Sequence, residues 1–365
     1  MRPTLALLAL LLAAPVHAAV LRPDCSQLQS ALDDLCETRG GTIYLPDGAV
    51  CDYTESPKAT CLHRIRIATE GKAATLRYVG SGARGFDFRG VRRFRLENVV
   101  VQCPNPVDCL DFRLSLYCEQ DVSIACETDA DCGSKGPCEA TNFSFAGEVL
   151  LDRVYVVGAP TTEPQKLLAL KHAVHFDIQS SEFWFGGYHV YGVDSMNEWT
   201  SEVHVRDSHF HNAGICSLWN LTWQTSIKDV YHEPQGVNGD VACAYGHDPG
   251  ILVNGFSASG WGLWDLPAGA TGTWIRIAGR GINLAGLRME ALVPSVVADG
   301  VKIDELSSGV TIPAPSCTNL RRCLWAAAPV SGLSILALTA QGVNKTIHGD
   351  LGTCALVTPT TVICG

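Results

Sequence analysis

Charge is scarce in this 365-residue chain. Asp, Glu, Lys and Arg make up 18% of it, against 47% hydrophobic residues. Such a chain can bury a core, which excludes intrinsic disorder. The charge present runs negative: 27 Lys and Arg against 37 Asp and Glu give a formal net charge of −10. That balance works against electrostatic binding of nucleic acid or an anionic lipid surface. Several catalytic signatures are also missing from the sequence. There is no Gly-rich phosphate loop at a strand–helix junction, no Gly-x-Ser-x-Gly elbow and no His-Glu-x-x-His. No apolar run reads as a membrane-spanning helix either. Leu5–Ala14 is too short to span a bilayer. Leu324–Val343 is long enough, but it carries Pro329 and Gly332 and alternates through Leu333, Ile335 and Ala337, which is strand patterning. No membrane insertion is expected.

What is present begins with export. Arg2, the apolar run Leu5–Ala14 and the small-residue site Val16-His17-Ala18 read as a signal peptide over residues 1–18. All 16 cysteines follow it. An even count behind a signal peptide implies disulfides and an oxidising compartment, so the protein is expected to be secreted: extracellular, periplasmic or on a cell surface. Local pairs are Cys103 with Cys109, Cys216 with Cys243, Cys317 with Cys323 and Cys354 with Cys364. Cys25, Cys36, Cys51 and Cys61 staple the N-terminal end in a connectivity the sequence leaves open. Cys126, Cys132 and Cys138 permit a zinc reading, against which stands the lack of a Cys-x-x-Cys pair. No cofactor is called for with certainty. Calcium remains open because Glu127, Asp129 and Asp131 string carboxylates along one segment. Asn142, Asn220 and Asn344 head glycosylation sequons.

The strongest pattern is a ragged repeat. Arg93–Gln102, Glu148–Gly158, Val174–Gly186, Ser201–Gly214, Thr225–Gln235, Gly250–Gly260, Trp274–Leu287 and Gly300–Thr311 each read as strand, polar corner, strand. A recurrence every ~20–30 residues signals stacked units, none of which can bury its apolar side alone. The 35 glycines suit many tight corners. Leu28, Leu32 and Leu35 share one face of a helix over Cys25–Arg39, stopped by Gly40-Gly41. The expected organisation is a capping helix at 19–40, a β-solenoid at 41–348 with a Cys-rich loop inserted at about 114–140, and a closing segment at 349–365.

The helix is followed by Gly40-Gly41-Thr42-Ile43-Tyr44-Leu45-Pro46-Asp47-Gly48. This opening resembles that of many pectate-lyase-like right-handed parallel β-helix proteins. The resemblance implies an all-β, right-handed parallel β-helix with a short N-terminal capping helix. It implies no particular activity, because that superfamily holds lyases, hydrolases, epimerases, phage tailspikes and adhesins.

Histidine placement points to a site. Eight histidines fall between His172 and His247, in a window also rich in tryptophan. Aromatic faces beside acid/base groups suit a sugar polymer. Aligning Asp177-Ile178-Gln179, His204-Val205-Arg206 and Ser226-Ile227-Lys228 puts the middle residue of each inside. Outside, Asp177, His204 and Ser226 form one column, and Gln179, Arg206, Lys228 and Asn254 the next. Ser180, Asp207 and Asp229 mark the corner. A further strand brings Glu182, Trp184, His209, His211, His232 and Glu233 alongside; a one-residue slip would exchange the faces of Tyr231 and His232.

Arg206 above Lys228 is the arrangement with most chemical content, since stacked cations repel. Asp207 and Asp229 could neutralise them, and surface pairs of that kind are worth little. Left free, the cations suit the carboxylate of a uronic-acid polymer. Neutralising that carboxylate acidifies the C5 proton, which His204, His211 or His232 would remove as base. The expected function is therefore action on a polysaccharide or cell-surface glycan, as a lyase on an acidic glycan. The rival is a non-catalytic glycan-binding or adhesive surface protein. Hydrolysis has weaker support: of the pectinase-type series Asn-Thr-Asp, Asp-Asp, Gly-His-Gly, Arg-Ile-Lys, only Gly246-His247-Asp248 comes near.

Overall fold

A computed structural model of the chain describes residues 19–38, 40–59, 63–113, 115–126, 129–139, 146–195, 198–233, 243–248, 250–266, 272–294, 297–349, 354–357 and 361–364. The expected signal peptide, Cys61, Glu127 and Asn142 lie outside the described residues.

The strands wind into a right-handed parallel β-helix, and one coil shows the plan. Val174–Gln179 runs along a first face and bends at Ser180; Glu182–Trp184 then forms a second face and bends at Phe185. Tyr188–Tyr191 completes the coil on a third face. Each strand pairs in parallel with its counterpart in the next coil, Phe176 with Val203, Phe183 with Phe210, Val190 with Leu218. The first two faces belong to one 24-stranded sheet and the third to a 10-stranded sheet. Alternation sends Phe176, Ile178, Val203, Val205 and Ile227 inside, each at most 1% exposed.

The corner between the first two faces has a backbone cause. Ser180, Asp207 and Asp229 take positive φ of 49°, 48° and 51°. Left-handed backbone disfavours a residue with a Cβ by roughly 1–2 kcal/mol, least for short polar side chains. Inter-coil hydrogen bonds hold it. The Ser180 N–H donates to Arg206 O at 3.1 Å, Asp207 N–H to Lys228 O at 3.1 Å, and Asp229 N–H to Ser259 O at 2.9 Å. Behind the bend the buried hydroxyl of Ser181 donates to Gln179 O at 2.8 Å, and that of Ser208 to Arg206 O at 2.7 Å. Both sides of the bend are thereby fixed.

The ends of the solenoid are covered differently. At the start, the helix Leu28–Thr38 lays Leu28, Leu32 and Leu35 on the core, each at 0% exposure. Gly40, at φ 83°, ends it, and its N–H donates to Leu35 O at 2.8 Å. At the other end Cys354–Val357 and Val362–Cys364 form an antiparallel pair, and the second of these also pairs antiparallel with Ser334–Leu336 of the last coil.

Within the expected loop at 114–140 lies a small three-stranded antiparallel sheet, with a short helix at Asp129–Cys132. Cys118–Cys132 and Cys126–Cys138 tie it, so the sulfurs of the zinc reading are held in disulfides. Cys25–Cys51, Cys103–Cys109, Cys216–Cys243 and Cys317–Cys323 are also bridged. These six disulfides among the described residues fit an oxidising, extracellular setting. No helix among the described residues is long and apolar enough to cross a membrane.

Candidate functional site

The first face carries two outward columns through the coils in question. Asp177 pairs with His204 and His204 with Ser226; Gln179 pairs with Arg206 and Arg206 with Lys228. Adjacent coils lie about 4.8 Å apart, so Arg206 and Lys228 project side by side, with His204 two residues from Arg206 on the same side of its strand. Arg206, Lys228, Asp207 and Asp229 are all exposed. No ion pair joins either cation to an acid among the described residues. Asp207 and Asp229 occupy the bend itself, where the backbone requirement accounts for them.

The next member of the Lys228 column is Ser259, not Asn254. Asn254 pairs with Trp223 before it and Arg280 after it, in the column of Val174 and Ser201. The cause is a second left-handed corner earlier in each coil, at His175 (φ 52°), Glu202 (φ 56°), Gln224 (φ 48°) and Gly255 (φ 68°). Asn254 precedes that corner, whereas Lys228 precedes the later one. Its neighbour Trp223 is 50% exposed.

The second face aligns Glu182, His209 and Tyr231 in one column and Trp184, His211 and Glu233 in the other. His232 is not among them. It pairs with Phe210, stacks on that ring at 4.9 Å and 13°, and is 3% exposed inside the solenoid. It therefore cannot serve as a surface base. His211 faces outward but is covered. The Trp184 ring lies on it at 3.8 Å and 12°, its Nδ1 is 3.3 Å from Glu233 Oε2, and its Nε2 is buried with no hydrogen-bond partner. Burial holds the His211 imidazole below its ordinary value, although Glu233 and Glu182 pull it upward. Glu182 accepts a hydrogen bond from Trp184 Nε1 at 3.0 Å, and His209 meets the Tyr231 ring edge-on at 5.3 Å. Of the three candidate bases, His204 alone lies beside the cations on the open face.

Upstream, the same face changes character. Asp152, which precedes Gln179 in the column, accepts from Gln179 Nε2 at 3.2 Å and lies 3.3 Å from Arg153 Nε. Glu97, one coil earlier, is held by Arg66. Beside them opens a groove of about 710 Å³ lined by Arg64, Arg93, Arg95, Glu148, His175 and Asp177. Only Asp177 of these is an expected site residue. Arg95 could have been found by running the Asp177 column backwards through Leu150, across the insertion that interrupts the repeat.

The calcium candidates are partly engaged. Asp129 Oδ1 accepts the Cys138 N–H at 2.8 Å, which ties the inserted sheet to its short helix.

No family model matches the chain, and no curated protein matches it by sequence. Among solved structures it is similar to PfbA, a surface adhesin of Streptococcus pneumoniae, at 9% identity and a TM-score of 0.51, covering 95% of this chain and 100% of that one. A mutant tailspike protein of E. coli bacteriophage HK620, solved in complex with a pentasaccharide, aligns at 10% identity and a TM-score of 0.46 over 90% of this chain and 63% of that one. An alginate lyase from Paenibacillus sp. aligns at 13% identity and a TM-score of 0.38, over 90% and 98%. Identities this low speak to the fold alone.

Proposed function

We propose that the protein is secreted and binds an acidic polysaccharide along its first face, where it cleaves the chain by β-elimination. The observation that carries this reading is the exposed stack of Arg206 on Lys228, unpaired among the described residues, with His204 alongside. Two adjacent cations without acids repel, so the arrangement stabilises the coil only when an anion lies across it. A uronate carboxylate supplies that anion. Arg206 and Lys228 would neutralise it and so lower the cost of carbanion character at C5. His204 would take the C5 proton, the C–H electron pair would become the C4–C5 double bond, and the C4–O bond would break with its oxygen taking up a proton. The long groove upstream would receive further sugar units, with Arg64, Arg93 and Arg95 beside the chain.

Incubating the protein with pectin, alginate and glycosaminoglycans, with and without calcium, tests the reaction through the ultraviolet absorbance of unsaturated products. His204→Ala should abolish turnover and leave glycan retention intact. A second reading, a non-catalytic glycan-binding surface protein, draws on a different observation: Arg206 and Lys228 stand on an exposed face, and the groove lies upstream of them. A flat absorbance trace on every polymer, with glycan retained, would select this second reading over the lyase.

A further inference from the structure

The triplet Asp-Phe-Arg occurs twice, at Asp87-Phe88-Arg89 and Asp111-Phe112-Arg113. Asp87 and Asp111 are register partners on the 10-stranded sheet, so the triplets lie in successive coils. Phe88 and Phe112 pack together inside, with ring centroids 5.5 Å apart. Each arginine folds back on the aspartate two residues before it. Arg89 donates through Nε at 2.9 Å and Nη2 at 2.8 Å to the two oxygens of Asp87. Arg113 does the same to Asp111, at 2.9 Å and 2.7 Å. Arg84 adds its Nε at 2.8 Å from Asp111 Oδ2.

The carboxylates are 3% and 0% exposed, while the side chains of Arg84, Arg89 and Arg113 keep 28%, 18% and 23% exposure. Those three arginines and Lys171 line an open groove of about 460 Å³, in which Asp194 is the one acidic lining residue among those described. A second groove, of about 420 Å³, shares Arg84 and Arg89. Burying carboxylates to hold arginines is weak as a stability device, because apolar residues of similar volume serve as well. It does fix the guanidinium planes before any ligand arrives. Arg113 uses Nε and Nη2 on Asp111, with Asp108 also 3.0 Å from Nη2, and among the described residues none of its bonds uses Nη1.

We propose that this groove is a second oxyanion site, separate from the Arg206 face, that takes the sulfate or carboxylate of an acidic sugar. Asp87, Asp108 and Asp111 offset the charge of Arg84, Arg89 and Arg113. Recognition therefore rests on the directional fork of the guanidinium and not on net positive potential, and its salt dependence should be shallower than that of the exposed Arg206–Lys228 pair.

Calorimetric titration of the full chain with inorganic sulfate, a sulfated disaccharide and a uronate disaccharide, at low and high salt, tests this. The arm that binds identifies the source of the oxyanion. Arg113→Lys keeps the charge and loses the fork, and should weaken that binding about tenfold. Lys171→Ala leaves both Asp–Arg pairs intact and should weaken it by a smaller factor, so it decides the matter if Arg113→Lys fails to fold. The double variant Arg206→Ala, Lys228→Ala should leave it unchanged, which separates this site from the lyase reading. Absence of binding in all three arms, or binding indifferent to both Arg113→Lys and Lys171→Ala, would overturn the proposal.

Discussion

Two outer surfaces of the same solenoid treat their cations in opposite ways. On the first face, Arg206 and Lys228 are stacked and exposed without an ion pair among the described residues. On the 10-stranded sheet of the later coils, Asp299 takes both Arg321 and Arg322, and Asp304 takes Arg276 and Lys302. Asp299 is 1% exposed. In these later coils the cations locked to Asp299 and Asp304 serve the fold. A cation left open in a stack gains nothing from the fold and is available to a ligand.

The comparison is sharpened first by its largest effect. Asp299→Ala leaves two arginines without their common partner and should cost about 3 kcal/mol, read from urea unfolding. Acid should show the same dependence. Burial alone would raise the Asp299 carboxyl, but the bonds from Arg322 and Arg321 outweigh it and hold the group below its ordinary value. Its contribution is present above the unfolded value of roughly 3.9 and is lost as pH falls through the lower folded one.

A second, earlier acid effect belongs to the interior. Burial pushes His189 down to about 3 and His232 well below its ordinary value. Their ring nitrogens lack hydrogen-bond partners among the described residues. The unfolded chain then binds protons that the folded chain refuses. Stability is full above pH ~6.5 and falls as pH drops below it, by about 1.4 kcal/mol per pH unit for each histidine. His232→Phe should remove one such contribution from the slope of stability against pH between 6 and 4. An unchanged slope would show that His232 is not buried neutral.

The smallest effect is the most telling for the open face. Arg206→Ala and Lys228→Ala should each change stability by less than about 0.5 kcal/mol. A loss as large as that of Asp299→Ala would erase the distinction between the two surfaces.

Most of the solenoid was legible because its rule is local. Alternation in Val203-His204-Val205-Arg206, followed by Asp207 at the bend, sets both the strand and the corner, and the columns from Asp177 to Lys228 follow. His232 was legible as well: aligning Asp207 with Asp229 already puts it at the inward position of Phe210. A histidine in a core slot looks like a surface residue only when polarity is weighed above register. Asn254 was harder, because two left-handed corners per coil resemble each other in sequence, and Gly255 and Gly260 fit either. The covering of His211 by Trp184 was out of reach, since it depends on side-chain packing between coils. The upstream arginines were hidden by the insertion before Glu148, which breaks the repeat just where the groove begins.

The most direct measurement is the affinity of the full chain for an acidic oligosaccharide, oligogalacturonate or oligoalginate, compared between the natural protein and the Arg206→Ala, Lys228→Ala double variant over a range of salt. Binding that weakens with salt and falls about tenfold or more in the double variant is the expected result. Equal affinity in the two proteins would contradict the assignment of the open cation stack to a glycan.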